Sequence, residues 1–382
     1  ESPLVEGLIY VGTDDGLIQV TENGGGDWRR IESVAGVPSM TYVSRLEASL
    51  HDEDTVYATF NNKKRGDFKP YVLVSRDRGR TWTSIAGDLP DGEITYALMQ
   101  DHVKPELLFV GTEYGIYFTV NEGTNWIRLK GGLPTIQVRD IDIQRTENDV
   151  VLATFGRGFY VLDDYSPLRQ VSDTELEQDA ILFPTENALR YVQKRSRVGS
   201  RGATFYTAEN PPFGATFTYY LKEGLKSLED ARLEAEKKAL EAESDPVIPS
   251  YEDLREEEEQ VEPAIFLTVR DAEGGVVRRV DGKASKGIHR ATWDLRWPSA
   301  RPTTLKKVEV NPWDREPSGH LALPGTYTVT LSKVVDGVVT DLAGPQSFGV
   351  VELGLNPFKA EDLAEALAFQ QKTAELQRAV TG

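Results

Sequence analysis

Ser75-Arg76-Asp77-Arg78-Gly79-Arg80-Thr81-Trp82 is the stretch that decides the fold, because two other segments share its register. Each copy, here called a box, reads Ser or Thr, any residue, Asp or Asn, any residue, Gly, two further residues and Trp. The shared positions are Thr21, Asn23, Gly25 and Trp28 in box 1, Ser75, Asp77, Gly79 and Trp82 in box 2, and Thr119, Asn121, Gly123 and Trp126 in box 3. A short polar side chain can hydrogen-bond its own turn, Gly supplies a positive φ and Trp covers the turn. Each box therefore predicts a β-hairpin with a structural role.

Strand-like segments precede each box and recur along the chain. Residues Tyr10, Tyr57, Phe109 and Leu152 occupy similar places in these segments and are separated by 47, 52 and 43 residues. A period of roughly 40 to 50 residues with about four strands is typical of propeller blades, which must stack to bury their faces. The sequence predicts about four blades over residues 1–170. We expect them to be part of a larger propeller, completed by a missing N-terminal part of the same protein or by another polypeptide.

The remaining chain predicts a second β domain. Alternating strands and turns over residues 171–355 indicate an immunoglobulin-like β-sandwich, and the charged, helix-prone segment 222–262 is predicted to be an insertion in it. Residues 356–382 place apolar side chains at helical spacing and predict a C-terminal amphipathic helix. The expected fold is therefore mainly β, with propeller blades followed by a sandwich, a helical insertion and a terminal helix.

Composition excludes several classes of function. The net charge is -18, which disfavours nucleic acid, and no apolar segment approaches the roughly 18 residues of a membrane span. The chain has no cysteine, and its four histidines lack metal-ligand spacing. We therefore expect no metal site and no cofactor.

The boxes, the segment from Ala153 to Leu168, and the segments Trp293–Arg296 and Pro324–Tyr327 together carry a family resemblance. They resemble the C-terminal part of bacterial sortilin-like (VPS10-like) BNR/Asp-box propeller proteins, a family often labelled glycosyl hydrolase. The resemblance implies an exported protein, which is periplasmic, on the cell surface or extracellular, whose signal peptide lies outside this chain. Relatives commonly have His where this chain has Phe155, so any role of that His does not carry over.

One edge of the predicted blades collects the candidate ligand-binding residues. Because successive hairpin turns point to opposite edges, the turns before each third strand lie opposite the boxes. Asp14, Asp15 and Glu113 are the weak catalytic candidates among them, since a glycosidase needs two carboxylates. The full predicted binding face is Asp14, Asp15, Lys64, Arg65, Glu113, Tyr114, Phe155 and Arg157.

These residues leave more than one function open. The leading hypothesis is a non-catalytic binding and scaffold module whose propeller face engages a protein, a peptide or a glycan. The alternative is a glycoside hydrolase that acts on polysaccharide, with an acidic cleft lined by aromatics such as Tyr114 and Tyr117. A basic face around Lys63, Lys64, Arg65 and Arg157 would instead favour an anionic partner. A third reading is a structural subunit whose propeller face is buried by protein.

Overall fold

The computed structural model describes residues 1–172, 174–193, 202, 204, 208, 210–302, 318–354 and 360–381. The chain divides into two compact units, residues 1–172 and 173–382. The protein is mainly β, with six sheets among the described residues.

Unit 1 contains four antiparallel sheets, here called blades 1 to 4, in which consecutive strands are hydrogen-bonded. Blade 1 has β1 (Ile9–Gly12), β2 (Ile18–Thr21) and β3 (Arg29–Ile31); blade 2 has β4 (Tyr42–Ala48), β5 (Val56–Asn62), β6 (Asp67–Ser75) and β7 (Thr83–Ser84); blade 3 has β8 (Thr95–Gln100), β9 (Leu108–Thr112), β10 (Ile116–Thr119) and β11 (Ile127–Arg128); blade 4 has β12 (Val138–Gln144), β13 (Asp149–Thr154) and β14 (Phe159–Leu162). Each blade is a simple meander, so short turns suffice to connect its strands.

The three boxes are the turns between the third and fourth strands, or in blade 1 between β2 and β3. In every box the buried hydroxyl of the first residue accepts the N–H of the box glycine, at 2.9 Å in box 1, 2.8 Å in box 2 and 3.0 Å in box 3. The glycines have φ of 101°, 81° and 86°, which are backbone angles that residues with a side chain rarely adopt. The box is therefore a turn closed by its own side chains.

The blades stack face to face in chain order, which buries the alternating apolar side chains of each strand. One core cluster joins Tyr10 and Val20 of blade 1 to Val56 and Leu73 of blade 2. A second core cluster joins blade 2 to blade 3. The ring of Phe109 in blade 3 packs edge-on against the ring of Tyr165, which follows blade 4, with 5.3 Å between the ring centroids. Unit 1 is thus a propeller-like stack of sheets.

The register of blade 4 corrects the predicted repeat by one residue. Leu46 pairs with Ala58 in blade 2 and Ile141 pairs with Leu152 in blade 4, which makes Leu152 the counterpart of Ala58. The counterpart of Tyr57 is therefore Val151 and not Leu152. Counting residues along the sequence could not settle this, because a shift of one residue in a strand exchanges its two faces.

A buried ion pair holds the end of unit 1. The carboxylate of Asp101, which is fully buried, accepts hydrogen bonds from Arg169, from the hydroxyl of Tyr165 and from the N–H groups of Val103 and Lys104. Burial alone would raise the pKa of Asp101, but the bonds from Arg169 and Tyr165 outweigh it and hold this pKa below its ordinary value. The segment after blade 4 is thereby fixed to the turn that follows β8.

The described residues of unit 2 form two sheets that enclose one core. The smaller sheet consists of β15 (Ala180–Leu182), β17 (Ala215–Leu221) and β20 (Gly287–Trp293); the larger consists of β16 (Ala188–Arg190), β18 (Ala264–Arg270), β19 (Val276–Gly282), β21 (Gly325–Val335) and β22 (Val338–Glu352). Trp293, Tyr327 and Phe348 pack ring to ring between the sheets. These aromatic residues are core residues and are not exposed to a ligand.

The described residues of unit 2 include three α-helices. Two of them, α1 (Leu228–Glu241) and α2 (Tyr251–Glu259), lie between β17 and β18 in the chain, and each begins with a serine capping box. The third, α3 (Ala360–Thr381), follows β22. No helix of the described residues combines the length and apolarity needed to cross a bilayer.

We expect Thr119→Val to lower the free energy of unfolding by about 1–3 kcal/mol, because it leaves the buried N–H of Gly123 without an acceptor. Thr83→Val is the matched control, since Thr83 is exposed, and its effect should stay within about 0.5 kcal/mol. Equilibrium unfolding in urea measures both changes. Equal losses in the two variants would contradict the role assigned to the box hydroxyl.

Acid should weaken unit 1 through Asp101. The pKa of Asp101 is lower in the folded state than in the unfolded state. The ionised carboxylate therefore contributes its full stabilisation of the fold above the ordinary pKa of 3.8, and this contribution is lost as the pH falls from there through the pKa of the folded state. Asp101→Asn should remove this part of the acid response and, by leaving Arg169 without its charge partner, destabilise the protein by about 3–5 kcal/mol at neutral pH.

The measurement is urea unfolding at a series of pH values from neutral to about 3. Asp91→Asn, at an exposed position, is the control and should keep the wild-type pH profile. An unchanged profile in Asp101→Asn would exclude Asp101 as a source of the acid response.

Candidate functional site

The turns between the second and third strands, or in blade 1 between β1 and β2, lie at the blade edge opposite the boxes. Three of them begin with a threonine whose N–H donates to a carbonyl across the turn: Thr13 to Leu17, Thr112 to Gly115 and Thr154 to Gly158. The hydroxyls of Thr112 and Thr154 donate to the same carbonyls. The first strands of blades 2, 3 and 4, which are β4, β8 and β12, are here called the inner strands. The segments that enter β8 and β12 reach the same edge, since the N–H of Glu113 donates to Ile94 O at 2.9 Å and that of Phe155 to Gln137 O at 2.9 Å. We call this edge the turn face.

A β-bulge sits near the start of each described inner strand and shapes the turn face. The pairing shifts after Val43 in β4, after Thr95 in β8 and after Val138 in β12. The extra residues are Ser44, Tyr96 and Arg139. The extra residue of a β-bulge breaks the alternation of side chains between the two faces of the sheet, so its side chain takes a different direction. Three bulges at equivalent places therefore direct three polar side chains toward one edge of the stack.

The hydroxyl of Tyr96 is the centre of a polar cluster that joins three blades. It donates to the carboxylate of Glu113 and accepts from Lys63 Nζ at 3.0 Å and from Gln137 Nε2 at 2.9 Å. Gln137 also donates to Glu113 at 2.7 Å. The guanidinium of Arg139 lies over the Tyr96 ring, 4.4 Å from its centroid. Lys63 comes from blade 2, Tyr96 and Glu113 from blade 3, and Gln137 and Arg139 from the start of blade 4. We call these five residues the Tyr96 cluster.

The protonation state of the cluster follows from its environment. Burial, and then the hydrogen bond to Glu113, raises the pKa of Tyr96 above its ordinary value, so the phenol stays neutral and donates its proton to the carboxylate. The ring of Tyr96 is buried, whereas Lys63 and Arg139 are exposed. The cationic side chains of Lys63 and Arg139 thus lie at the surface, next to the buried and neutral side chain of Tyr96.

A second polar group lines the inner strands. Arg45 of blade 2 donates to Asp140 of blade 4 at 3.1 Å and contacts Glu47 at 3.4 Å. Burial raises the pKa of Glu47, and the positive charge of Arg45 only partly offsets this rise. This contact links blades 2 and 4 across the inner strand of blade 3.

The predicted catalytic carboxylates Asp15 and Glu113 have separate hydrogen-bond partners. Asp14 and Asp15 belong to the turn of blade 1, where Asp15 accepts the hydroxyl of its neighbour Thr13. Glu113 belongs to the Tyr96 cluster. Within residues 1–172, all of which the structure describes, Glu113 is the only carboxylate bonded to that cluster. The structure therefore does not bring the three predicted carboxylates into one hydrogen-bonded group.

The other predicted face residues are exposed. Lys64, Arg65 and Arg157 are all exposed, and Arg65 is also held in place by donating to the carbonyls of Ser39 and Met40. Tyr114 and Phe155 are exposed, Phe155 by 70% of its surface. Tyr117, expected beside Tyr114 in the cleft, is buried and donates its hydroxyl to Glu93 at 2.8 Å. That part of the cleft prediction is wrong, because Tyr117 points into the contact with blade 2.

Sequence reasoning missed Tyr96, Gln137 and Arg139. One signal was available: the apolar residues of the inner strands break their alternation, with Val43 and Leu46, or Val138 and Ile141, three residues apart. Such a break indicates a bulge. No signal in the sequence shows that residues from three blades meet.

No metal site is evident in the part of the chain that the structure describes, where no three acidic or histidine side chains form a group that could hold an ion.

No protein-family model and no curated protein matches this chain. Among solved structures it is similar to YCF48 with a bound peptide, at 15% identity and a TM-score of 0.33, over 41% of this chain and 48% of that one. It is also similar to a GH74 xyloglucanase from Xanthomonas campestris, at 12% identity and a TM-score of 0.33, over 90% and 44%. A third is PorZ, a surface component of the type-IX secretion system of Porphyromonas gingivalis, at 13% identity and a TM-score of 0.31, over 92% and 46%.

These three are β-propeller proteins, and this chain spans less than half the length of each. Their described roles include peptide binding and polysaccharide hydrolysis. TM-scores of this size do not decide between those roles for this chain.

Tyr96→Phe should keep the ring beneath Arg139 but leave Glu113, Lys63 and Gln137 each one partner short. We expect a loss of about 1–3 kcal/mol in the free energy of unfolding. Tyr42→Phe, at an exposed ring, is the control and should change it by at most about 0.5 kcal/mol. Urea unfolding compares the two, and matching values would show that the cluster does not hold the blades together.

Proposed function

We propose that this chain is a non-catalytic binding and scaffold module whose turn face engages a protein, a peptide or a glycan. The observation that carries the proposal is the Tyr96 cluster, in which side chains from three blades converge at the turn face. A site built from several blades is rigid, because each member is held by packing of its own sheet. Rigid placement of donors lowers the entropic cost of binding.

The chemistry of the turn face supports a ligand that carries acidic or hydroxyl groups. Lys63 and Arg139 offer charged donors beside the buried Tyr96, and Lys64 and Arg157 add positive charge nearby. The exposed rings of Tyr114 and Phe155 provide flat apolar area. Arginine and aromatic side chains are enriched in binding interfaces, where they contribute much of the affinity.

Hydrolysis fits the geometry less well. Retaining and inverting glycosidases place two carboxyl groups on either side of the scissile bond, about 5–10 Å apart. Glu113 is engaged by Tyr96 and Gln137, and Asp15 is engaged in its own turn.

We extend the proposal to the whole chain on the strength of its motifs. Unit 1 corresponds to Asp-box blades of the sortilin-like kind, unit 2 to an immunoglobulin-like sandwich with a helical insertion, and α3 to an amphipathic terminal helix. The protein is exported. These assignments rest on the box residues and on the segment Ala153–Leu168.

The test is a binding screen of the purified chain against a glycan array and an array of acidic peptides. For the best-bound probe, Lys63→Ala and Arg139→Ala should each weaken binding by at least about tenfold, as expected for truncation of a charged contact of 1.4 kcal/mol or more. Lys237→Ala removes the same charge from α1 of unit 2 and should leave the affinity unchanged.

Two results would contradict the proposal. One is binding that survives both turn-face variants, which would place the ligand elsewhere. The other is turnover of a polysaccharide that disappears in Glu113→Gln, which would establish the hydrolase alternative.

A further inference from the structure

The tryptophans of the three boxes differ in exposure, although the boxes are built alike. Trp82 is 8% exposed and Trp126 is 7% exposed, whereas Trp28 is 44% exposed. The hydroxyl–glycine bond closes all three turns, so the first box is not malformed. The difference must therefore come from what lies against each box.

Trp82 and Trp126 each pack on the blade that precedes their own. Trp82 belongs to the core cluster that contains blade 1 residues, and a Cβ on its box glycine, Gly79, would lie 3.6 Å from Val20 and Ile31. Trp126 donates its ring N–H to the carbonyl of Ile85, which follows β7 of blade 2, at 2.9 Å. The box tryptophan is thus the contact of each blade with its predecessor.

Box 1 has no such predecessor in the described chain. A Cβ on Gly25 would meet only Trp28 of its own box within 4 Å. A hollow of about 290 Å³ beside Trp28 is lined by residues of β2, box 1 and β3. Trp28 therefore has the geometry of an inter-blade contact without the second blade.

The same face of blade 1 is uncovered along its strands. Tyr10 and Val20 point toward blade 2, so their neighbours Ile9, Val11 and Gln19 point the other way. The counterparts of Val11 in blades 2 and 3, Ala58 and Val110, are at most 1% exposed, whereas Val11 is 39% exposed. An apolar strand face of this kind is buried in every other blade by its predecessor.

A strand edge is also unpaired. In blades 2, 3 and 4 the strand that corresponds to β1 bonds on both sides, but β1 bonds only to β2 in the described chain. At the far end of the stack, Phe159 and Val161 of blade 4 are 76% and 54% exposed on the face that would meet a following blade. Both end faces of the stack thus carry the surface of an inter-blade contact.

We propose that the Trp28 face is the docking surface of a further propeller blade, carried by polypeptide outside residues 1–382. This blade presents an apolar strand pair and a carbonyl to Trp28, as blade 2 does to Trp126. The same polypeptide adds an inner strand to the free edge of β1. The proposal continues an interface that the chain already builds between its own blades, and it is independent of what the turn face binds.

A second copy of the chain is the less suitable occupant. Its blade 4 could place Phe159 and Val161 against Trp28, which would close a ring of two copies. That arrangement leaves the edge of β1 without an inner strand, because blade-to-blade packing joins faces and not edges. We therefore assign the face to a blade that brings its own inner strand.

The experiment extends the full chain at its N-terminus with a second copy of residues 42–100. The added segment supplies one complete blade, β4 to β7, followed by a copy of β8 as the inner strand for β1. Residues 1–7 then connect this strand to Leu8, much as residues 101–106 connect β8 to Leu107. The design gives Trp28 the neighbour that Trp126 has in the original chain.

Hydroxyl-radical footprinting read by mass spectrometry measures the modification rate of each box tryptophan, and hydrogen exchange reports pairing of β1. In the extended chain we expect the rate at Trp28 to fall about fivefold, the ratio of its exposed fraction to that of Trp82, and the β1 amides to become protected. Trp82 and Trp126 serve as internal references. A matched control carries Val74→Asp and Ile85→Asp in the added copy, which should abolish the protection.

Three results would overturn the proposal. Trp28 could stay as reactive as before in the extended chain, whether or not the added blade folds. It could be protected equally by the control extension. Finally, sedimentation could show that the unextended chain is a dimer in which Trp28 is already protected, which would identify a second copy as the occupant.

Discussion

The contact between each blade and its predecessor is the interaction on which the rest of unit 1 depends. A sheet of three or four short strands cannot bury both of its faces, so its stability comes from its neighbours. The box supplies the fixed point of this contact. Its buried hydroxyl closes the turn, its glycine allows close approach, and its tryptophan reaches the preceding blade.

The close approach is visible in box 3. A Cβ on Gly123 would lie 2.5 Å from the carbonyl of Ile85, so only glycine fits between the two blades. At the same place Trp126 donates to that carbonyl. Charges at the box edge then add to the contact, since Glu22 of box 1 pairs with Arg78 of box 2, and Arg76 of box 2 pairs with Glu122 of box 3. Ion pairs that are exposed or partly exposed contribute little energy, so packing is the main contribution to the contact.

The turn face depends on the same stacking. Tyr96 is a bulge residue of blade 3, but its hydroxyl is useful only because Lys63 and Gln137 arrive from blades 2 and 4. A change in blade stacking would separate these two donors from the Tyr96 hydroxyl. The end of the stack is fixed by a different device, the buried Asp101–Arg169 pair, whose removal on one side would leave an uncompensated charge. The arrangement of polar groups at the turn face therefore depends on how the blades are stacked.

The sequence by itself determined the local structure of this protein. Box residues such as Ser75 and Gly79 specify a turn through contacts within a few positions, and the repeat of strand-like segments predicts stacked sheets. The tertiary structure decided the rest, because those features depend on distant residues. They are the register that makes Val151 the counterpart of Tyr57, the burial of Tyr117, the meeting of Lys63, Tyr96 and Gln137, and the exposure of Trp28 among otherwise equal boxes. A turn is encoded by neighbours in the chain, whereas a site or an interface is encoded by the packing of separate blades.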